Sequence, residues 1–158
     1  MVFVPATVYD PKRIVAAYGV VPLVGFASGR FTTIRRDAPT WRTVHGTNGE
    51  MKRVRTRTKS GTIEFVFRGT APINRLLSIL AQSDERSGGI FQTITVGDTL
   101  NGGLFVGRNA YIEQYPEKMY GTNETDTSWR FRCEDMKLTF PGASLETVGI
   151  RVFGEELL

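Results

Sequence analysis

The chain of 158 residues has one cysteine and one histidine, and it has no continuous apolar run of membrane length. Cys133 finds no second cysteine for an internal disulfide or for a redox or zinc motif, and reads as a small buried hydrophobe on a strand. With His45 equally alone, the usual zinc ligand sets cannot be assembled from one chain. The longest apolar run, Ile14 to Phe26, is interrupted by Gly19, Pro22 and Gly25. It falls short of the roughly 18 apolar residues that a spanning helix needs, so no membrane association is expected. Met1-Val2-Phe3-Val4-Pro5 lacks the basic start, apolar core and small-residue cleavage site of a signal peptide, which makes assembly in a cytoplasm the expectation.

Catalytic signatures are scarce as well. His45 falls in a Gly-rich stretch with no serine or cysteine elbow beside it, and triad chemistry needs such a pair. The adjacent acids Asp84-Glu85, Glu134-Asp135 and Glu155-Glu156 read as solvated charge rather than as general acid and base. There is no P-loop, and Gly102, Gly103 and Gly107 do not have the spacing of a dinucleotide fingerprint. The sequence predicts no enzyme, no cofactor and no metal.

Short alternating or β-branched runs, separated by Gly, Asn, Asp and Pro, fill most of the chain, which is the pattern of a sandwich or barrel. Arg13 to Tyr18 and Val21 to Phe26 are expected to pair around Gly19-Val20, with Arg30 to Arg36 as a third strand. Asp37-Ala38-Pro39 breaks the pattern, and a polar stretch comes next, before a strand expected at Met51 to Lys59. That excursion is a candidate functional loop. Ser60-Gly61 turns into Thr62 to Arg68, where alternation puts Ile63, Phe65 and Phe67 on one core face.

One segment changes period. Ile73, Leu76, Leu77 and Leu80 recur at i, i+3, i+4 and i+7, the stripe of an amphipathic helix over Pro72 to Ser83. Thr70 is the expected cap and Pro72 suits the first turn. Phe91 to Val96 and Leu104 to Ile112 should form a hairpin across Leu100-Asn101-Gly102-Gly103. After a polar loop from Tyr115 to Thr127, Trp129, Phe131 and Cys133 alternate with Arg130, Arg132 and Glu134 as a half-buried strand that turns around Asp135 into Met136 to Phe140. Val148, Ile150 and Val152 alternate in the tail and could add a strand to this sheet or reach a neighbour.

Charge is divided along the chain. Residues 1 to 75 hold 13 Lys/Arg and 4 Asp/Glu, a net +9, whereas residues 76 to 158 hold 7 and 12, a net −5. Opposite faces of this kind can be plain solvated surface, or can steer a head-to-tail contact between subunits. The sharpest local feature is Arg53, Arg55, Arg57 and Lys59 at alternate positions, about 6.5 to 7 Å apart if the backbone is extended. Three readings are open: a solvated face, a contact with the acidic half of a neighbour, and nucleic-acid binding. No aromatics interleave this stripe in the sequence, which counts against base stacking.

The order of these parts resembles the tail tube proteins of contractile-tailed, myovirus-type bacteriophages. Arg13-Ile14-Val15-Ala16-Ala17-Tyr18-Gly19 with Val21-Pro22-Leu23-Val24-Gly25-Phe26-Ala27-Ser28-Gly29 is similar to the family's first hairpin and its Gly-Phe-x-x-Gly step. Gly46-Thr47-Asn48-Gly49-Glu50, Ser60-Gly61-Thr62, the helix at Pro72 to Leu80, and Glu113 with Trp129-Arg130-Phe131-Arg132-Cys133-Glu134 come in the family's order. The resemblance spans residues 13–142 of a single expected domain over 1–158, leaving 143–158 as a C-terminal extension.

It implies a mainly β sandwich or barrel subunit with one flanking helix. Hexameric rings of such subunits close an inner β-barrel and stack into the hollow tail tube that conducts viral DNA during genome ejection. The implied partners are other copies of the chain, the tail sheath protein, the tape-measure protein, the baseplate hub and the tail terminator. The implied location is the virion tail. In such tubes the segment corresponding to Asp37 to Lys59 reaches the adjacent ring, which makes Arg53, Arg55, Arg57 and Lys59 assembly residues. Glu113, Glu117, Glu124 and Asp126 are then candidate acidic partners. A secretion tube of the Hcp type and a basic β-barrel binding single-stranded nucleic acid are the alternatives.

Overall fold

The structure, a computed structural model, describes residues 8–142; the alternating tail segment at Val148 to Val152 lies outside them. Among the described residues, a 3-10 turn at Pro11–Arg13 leads into ten strands and one α-helix. The strands are β1 (Ile14–Tyr18), β2 (Val21–Leu23), β3 (Thr32–Arg36), β4 (Trp41–His45), β5 (Met51–Arg55), β6 (Gly61–Phe67), β7 (Gln92–Asp98), β8 (Leu104–Gln114), β9 (Thr127–Cys133) and β10 (Asp135–Thr139), with α1 (Pro72–Ser87) between β6 and β7. The mainly β architecture with one helix agrees with the sequence reading.

All pairing is antiparallel, and the main order is β2-β1-β7-β8-β9-β6-β3 with β10 also on β8. β8 joins two sheets. Its first half pairs with β7 and β10, and its second half, from Tyr111, pairs with β9. Asn109, with a left-handed φ of 51°, sits between the two halves where the β7–β8 register shifts, and the β8–β9 ladder shifts separately between Ile112 and Gln114. A bulge of this kind bends a strand and redirects its second half. β9 and β10 make the matching step on the other side: the chain breaks at Glu134, whose N–H donates to the Arg108 carbonyl (3.1 Å), and passes from one sheet to the other.

Between the sheets lies an aromatic core. Ile63, Phe65 and Phe67 of β6 are buried with Trp129, Phe131 and Cys133 of β9, as their alternation predicts. Phe131 packs against Tyr18 (5.0 Å between centroids) and edge-on against Phe65 (5.6 Å). Burial pushes the Tyr18 phenol up to about 12 and the Cys133 thiol up to about 12, so both stay protonated and Cys133 is chemically quiet.

Several local expectations are corrected. The third strand starts at Thr32 rather than Arg30, and the second ends at Leu23, with Phe26 reaching Phe67 by an isolated bridge. The helix buries Ile73, Leu77 and Ala81 at i, i+4 and i+8, whereas Leu76 is exposed. Its N-cap is Ala71, not Thr70. Asn74 fixes the helix from the side: its Nδ2 donates to the Arg68 carbonyl (2.7 Å), and its Oδ1 accepts from Trp129 Nε1 (3.0 Å). Gly88, with φ 82°, ends the helix in the left-handed conformation that glycine tolerates.

Candidate assembly surfaces

The stretch read as a polar loop is a hairpin. Trp41 to His45 pair with Met51 to Arg55, and the Thr56 N–H extends the ladder to the Thr40 carbonyl (2.8 Å). His45 therefore ends β4 rather than lying in a loop, and the expected strand Met51 to Lys59 stops at Arg55. Every residue of both strands is exposed. Neither strand pairs with the main sheet. An isolated two-stranded ribbon is marginally stable in water, so its root must be held.

Asp37 and Ser60 form that root. The Asp37 N–H donates to the Ser60 carbonyl (3.1 Å), and Ser60 Oγ donates to Asp37 Oδ2 (2.8 Å). Arg132 of β9 completes the clamp, with Nη2 3.0 Å from Asp37 Oδ2. Arg36 adds a second tie, donating through Nη2 to the Met136 carbonyl (2.6 Å) and through Nη1 to Thr40 Oγ1 (3.3 Å). The hairpin is thus anchored to both sheets at one end of the molecule.

The basic stripe is divided by this geometry. Arg53 and Arg55 share a hairpin face with Trp41, because paired antiparallel residues project to the same side. Both guanidiniums sit over the indole, at 4.1 Å and 5.3 Å from the ring centroid. Cation–π attraction of about 0.5–1 kcal/mol at an exposed site offsets part of their mutual repulsion. Arg57 and Lys59 are exposed on the strap that returns to β6. Trp41 is the aromatic that the linear sequence did not show beside the stripe, since it arrives from the opposite strand. Residues 41–59 carry six Lys/Arg and one Glu.

The four acidic candidates lie elsewhere. Glu113 is exposed near the end of β8, Glu117 and Glu124 are in the loop after it, and Asp126 immediately precedes β9. The β6–β9 register pairs Gly61 with Cys133 and Phe67 with Thr127. The hairpin root joins the Gly61/Cys133 end and the acidic loop joins the Phe67/Thr127 end, roughly 20 Å apart along the strands. The hairpin's cations therefore lie beyond one end of β6 and β9, and Glu117, Glu124 and Asp126 lie toward the other, with Arg68 and Lys118 among them; Glu113 lies midway, opposite Phe131 and Arg130 of β9.

Glu124 already has partners within the chain. Its Oε1 accepts from the Thr70 N–H (2.9 Å) and from Thr70 Oγ1 (2.7 Å), which ties the acidic loop to the entrance of α1. These hydrogen bonds, with Arg68 and Lys118 nearby, hold its carboxyl below the usual range. A depressed folded pKa means that the tie is complete above the ordinary carboxylate range of about 4 and is lost as pH falls through the lowered value. The Thr70 amide resonance should move in that acidic window, and in Glu124→Gln it should show no such titration.

Among the described residues no group of three or more His, Cys, Asp or Glu side chains could hold a metal ion. No described helix is long and apolar enough to cross a membrane.

The fold has known counterparts. A chain from the sheath/tube terminator of an extracellular contractile injection system in the extended state superposes with a TM-score of 0.63 at 12% identity, over 85% of this chain and 99% of that one. A chain from the sheath-tube complex of the extended injection system gives 0.58 at 13%, over 82% and 90%. A chain from the tube-terminating cap of the anti-feeding prophage gives 0.56 at 12%, over 87% and 94%. At these identities the likeness is one of fold. No protein-family model matches the chain, and no curated protein sequence matches it significantly.

Proposed function

We propose that the chain is a structural subunit of a phage-tail-like particle and works by assembly rather than by catalysis. Hexameric rings stack into the tail tube, built in the host cytoplasm around a tape-measure protein and inside a sheath, and viral DNA passes through the lumen. The observation that carries this reading is the placement of an exposed basic hairpin and an acidic loop at opposite ends of one sheet. A subunit with unlike ends makes a heterologous contact, and a heterologous contact repeats without closing. Arg53, Arg55, Arg57 and Lys59 then meet Glu113, Glu117 and Asp126 of the next ring, while Glu124 shapes the acidic loop. The apolar Trp41, Val44, Met51 and Val54, exposed on the free hairpin, become covered by the same contact.

A terminator ring is a second reading, supported by the likeness to the sheath/tube terminator over nearly all of that chain. The two differ in outcome, since tube rings pile up and a terminator stops at one layer. Nucleic-acid binding by the stripe is disfavoured because the indole face that would stack a base is occupied by Arg53 and Arg55.

Sedimentation velocity across a salt series tests the electrostatic contact. Stacked species should shrink as ionic strength rises from about 0.05 to 0.5 M, because exposed charge pairs are screened over that range. Assembly that is indifferent to salt would remove the hairpin's charges from the mechanism.

A further inference from the structure

The chain contains two Asn-Gly pairs, Asn48-Gly49 at the tip of the exposed hairpin and Asn101-Gly102 in the β7–β8 turn. They are alike in sequence and opposite in setting. An asparagine followed by glycine is open to attack on its side-chain amide carbon by the next backbone nitrogen, because glycine has no Cβ to keep that nitrogen away. What decides the reaction is how firmly the two groups are held apart.

In the β7–β8 turn they are held firmly. Asn101 is half-buried, and its Nδ2 donates to the Val8 carbonyl (3.1 Å) and to Asp98 Oδ2 (3.4 Å). Its own N–H donates to Asp98 Oδ1 (3.1 Å), and the Gly102 N–H donates to the Asp98 carbonyl (2.9 Å). Side chain and backbone are both tied.

The hairpin tip is different. Asn48 is exposed, and its side-chain amide makes no hydrogen bond among the described residues. Gly49 takes a left-handed φ of 79°, and no atom lies within 4 Å of where a Cβ would stand. Two backbone bonds close the tip, from the Gly49 N–H to the Gly46 carbonyl (3.0 Å) and from the Gly46 N–H to the Glu50 carbonyl (2.7 Å). The ribbon pairs with no strand of the main sheet and every residue of it is exposed, so the tip can open without disturbing the core.

We propose that Asn48 is a site of spontaneous conversion to aspartate and isoaspartate, and that this conversion retires subunits left unassembled. The Gly49 nitrogen gives its proton to solvent base and bonds to Asn48 Cγ; the Cγ–Nδ2 bond breaks, ammonia leaves with a proton from water, and a succinimide ring remains. Water then adds to either ring carbonyl and opens the ring to an aspartyl or an isoaspartyl link. The sequence of steps needs no oxidant, metal or cofactor. Each event sets a carboxylate on a hairpin where residues 41–59 hold six Lys/Arg and one Glu. A contact that draws this hairpin to an acidic surface is weakened by it. That consequence rests on the assembly reading above, whereas the chemistry at Asn48 does not.

Peptide mass mapping of the full chain, aged in mildly alkaline buffer, tests the site. The mass gain of an amide turned to an acid should accumulate at Asn48 roughly tenfold or more faster than at Asn101, because the tip opens locally at lower cost. It should quicken as pH rises. Fresh and aged samples are then compared by sedimentation velocity with Asn48→Asp and Asn48→Gln, the longer glutamine side chain closing such a ring far more slowly. Aged wild type should stack as weakly as fresh Asn48→Asp, and aged Asn48→Gln should stack like fresh wild type. Equal rates at the two asparagines, or conversion at Asn101 alone, overturn the site. Conversion at Asn48 with undiminished stacking overturns its effect on assembly. A wild type that never stacks, fresh or aged, overturns the assembly reading and the retirement of subunits with it, while the mass map still decides the site.

Discussion

Replacing Phe131 with alanine should cost about 3–5 kcal/mol of folding stability, the range for removing a large aromatic from a packed core. Phe131 is fully buried on β9, pairs across to Ile63 and Ile112, and meets the rings of Tyr18 and Phe65. It therefore touches elements of both sheets at the place where β8 joins them. Few neighbours can close over the vacancy, because the surrounding β6, β8 and β9 backbones are tied into one ladder. Chemical denaturation monitored by tryptophan fluorescence reads the loss directly, through Trp129 two residues away. A change below about 1 kcal/mol would mean that the two sheets do not depend on this contact.

The second large effect concerns assembly and should leave stability nearly untouched. Arg53→Glu with Arg55→Glu reverses two exposed charges on a hairpin that contributes nothing to the core. Surface substitutions of this kind usually change stability by less than about 0.5 kcal/mol. At an intersubunit contact the same change sets like charges face to face, which costs several kcal/mol and suppresses pairing. The expected variant melts like the wild type yet fails to stack at any salt concentration at which the wild type stacks. Partial rescue by Glu117→Arg with Asp126→Arg in the same chain would identify the opposing surface. A double reversal that stacks normally would place the contact elsewhere.

Burial decides which elements are legible in the sequence. β6 and β9 are readable because each has one face in the core, so Ile63, Phe65 and Phe67, and then Trp129, Phe131 and Cys133, impose a period of two. β4 is not readable, since a strand exposed on both faces carries no such period, and Trp-Arg-Thr-Val-His looks like a loop. The same blindness extends β5 to Lys59 and hides Trp41 from the basic stripe it joins. The helix is legible in place but not in detail, because Ala81 is buried and Leu76 is exposed, and a stripe drawn through the larger apolar residues passes over the alanine. Glu124 can be read as an acid but not as the partner of Thr70, which lies 54 residues earlier in the chain. The division of charge between the halves of the chain is visible in the sequence, but it is not a division of the fold: Arg68 of the basic half lies at the Phe67/Thr127 end, and Glu134 and Asp135 of the acidic half lie beside the Gly61/Cys133 end.

Negative-stain electron microscopy of the purified full chain, over a range of protein concentration and at low and high salt, tests the central claim most directly. The account predicts hollow rings at high concentration and low salt, stacking into uniform tubes for a tube subunit or remaining single-layered for a terminator. A population that stays monomeric throughout, and remains so after sheath and tape-measure partners are added, would contradict it.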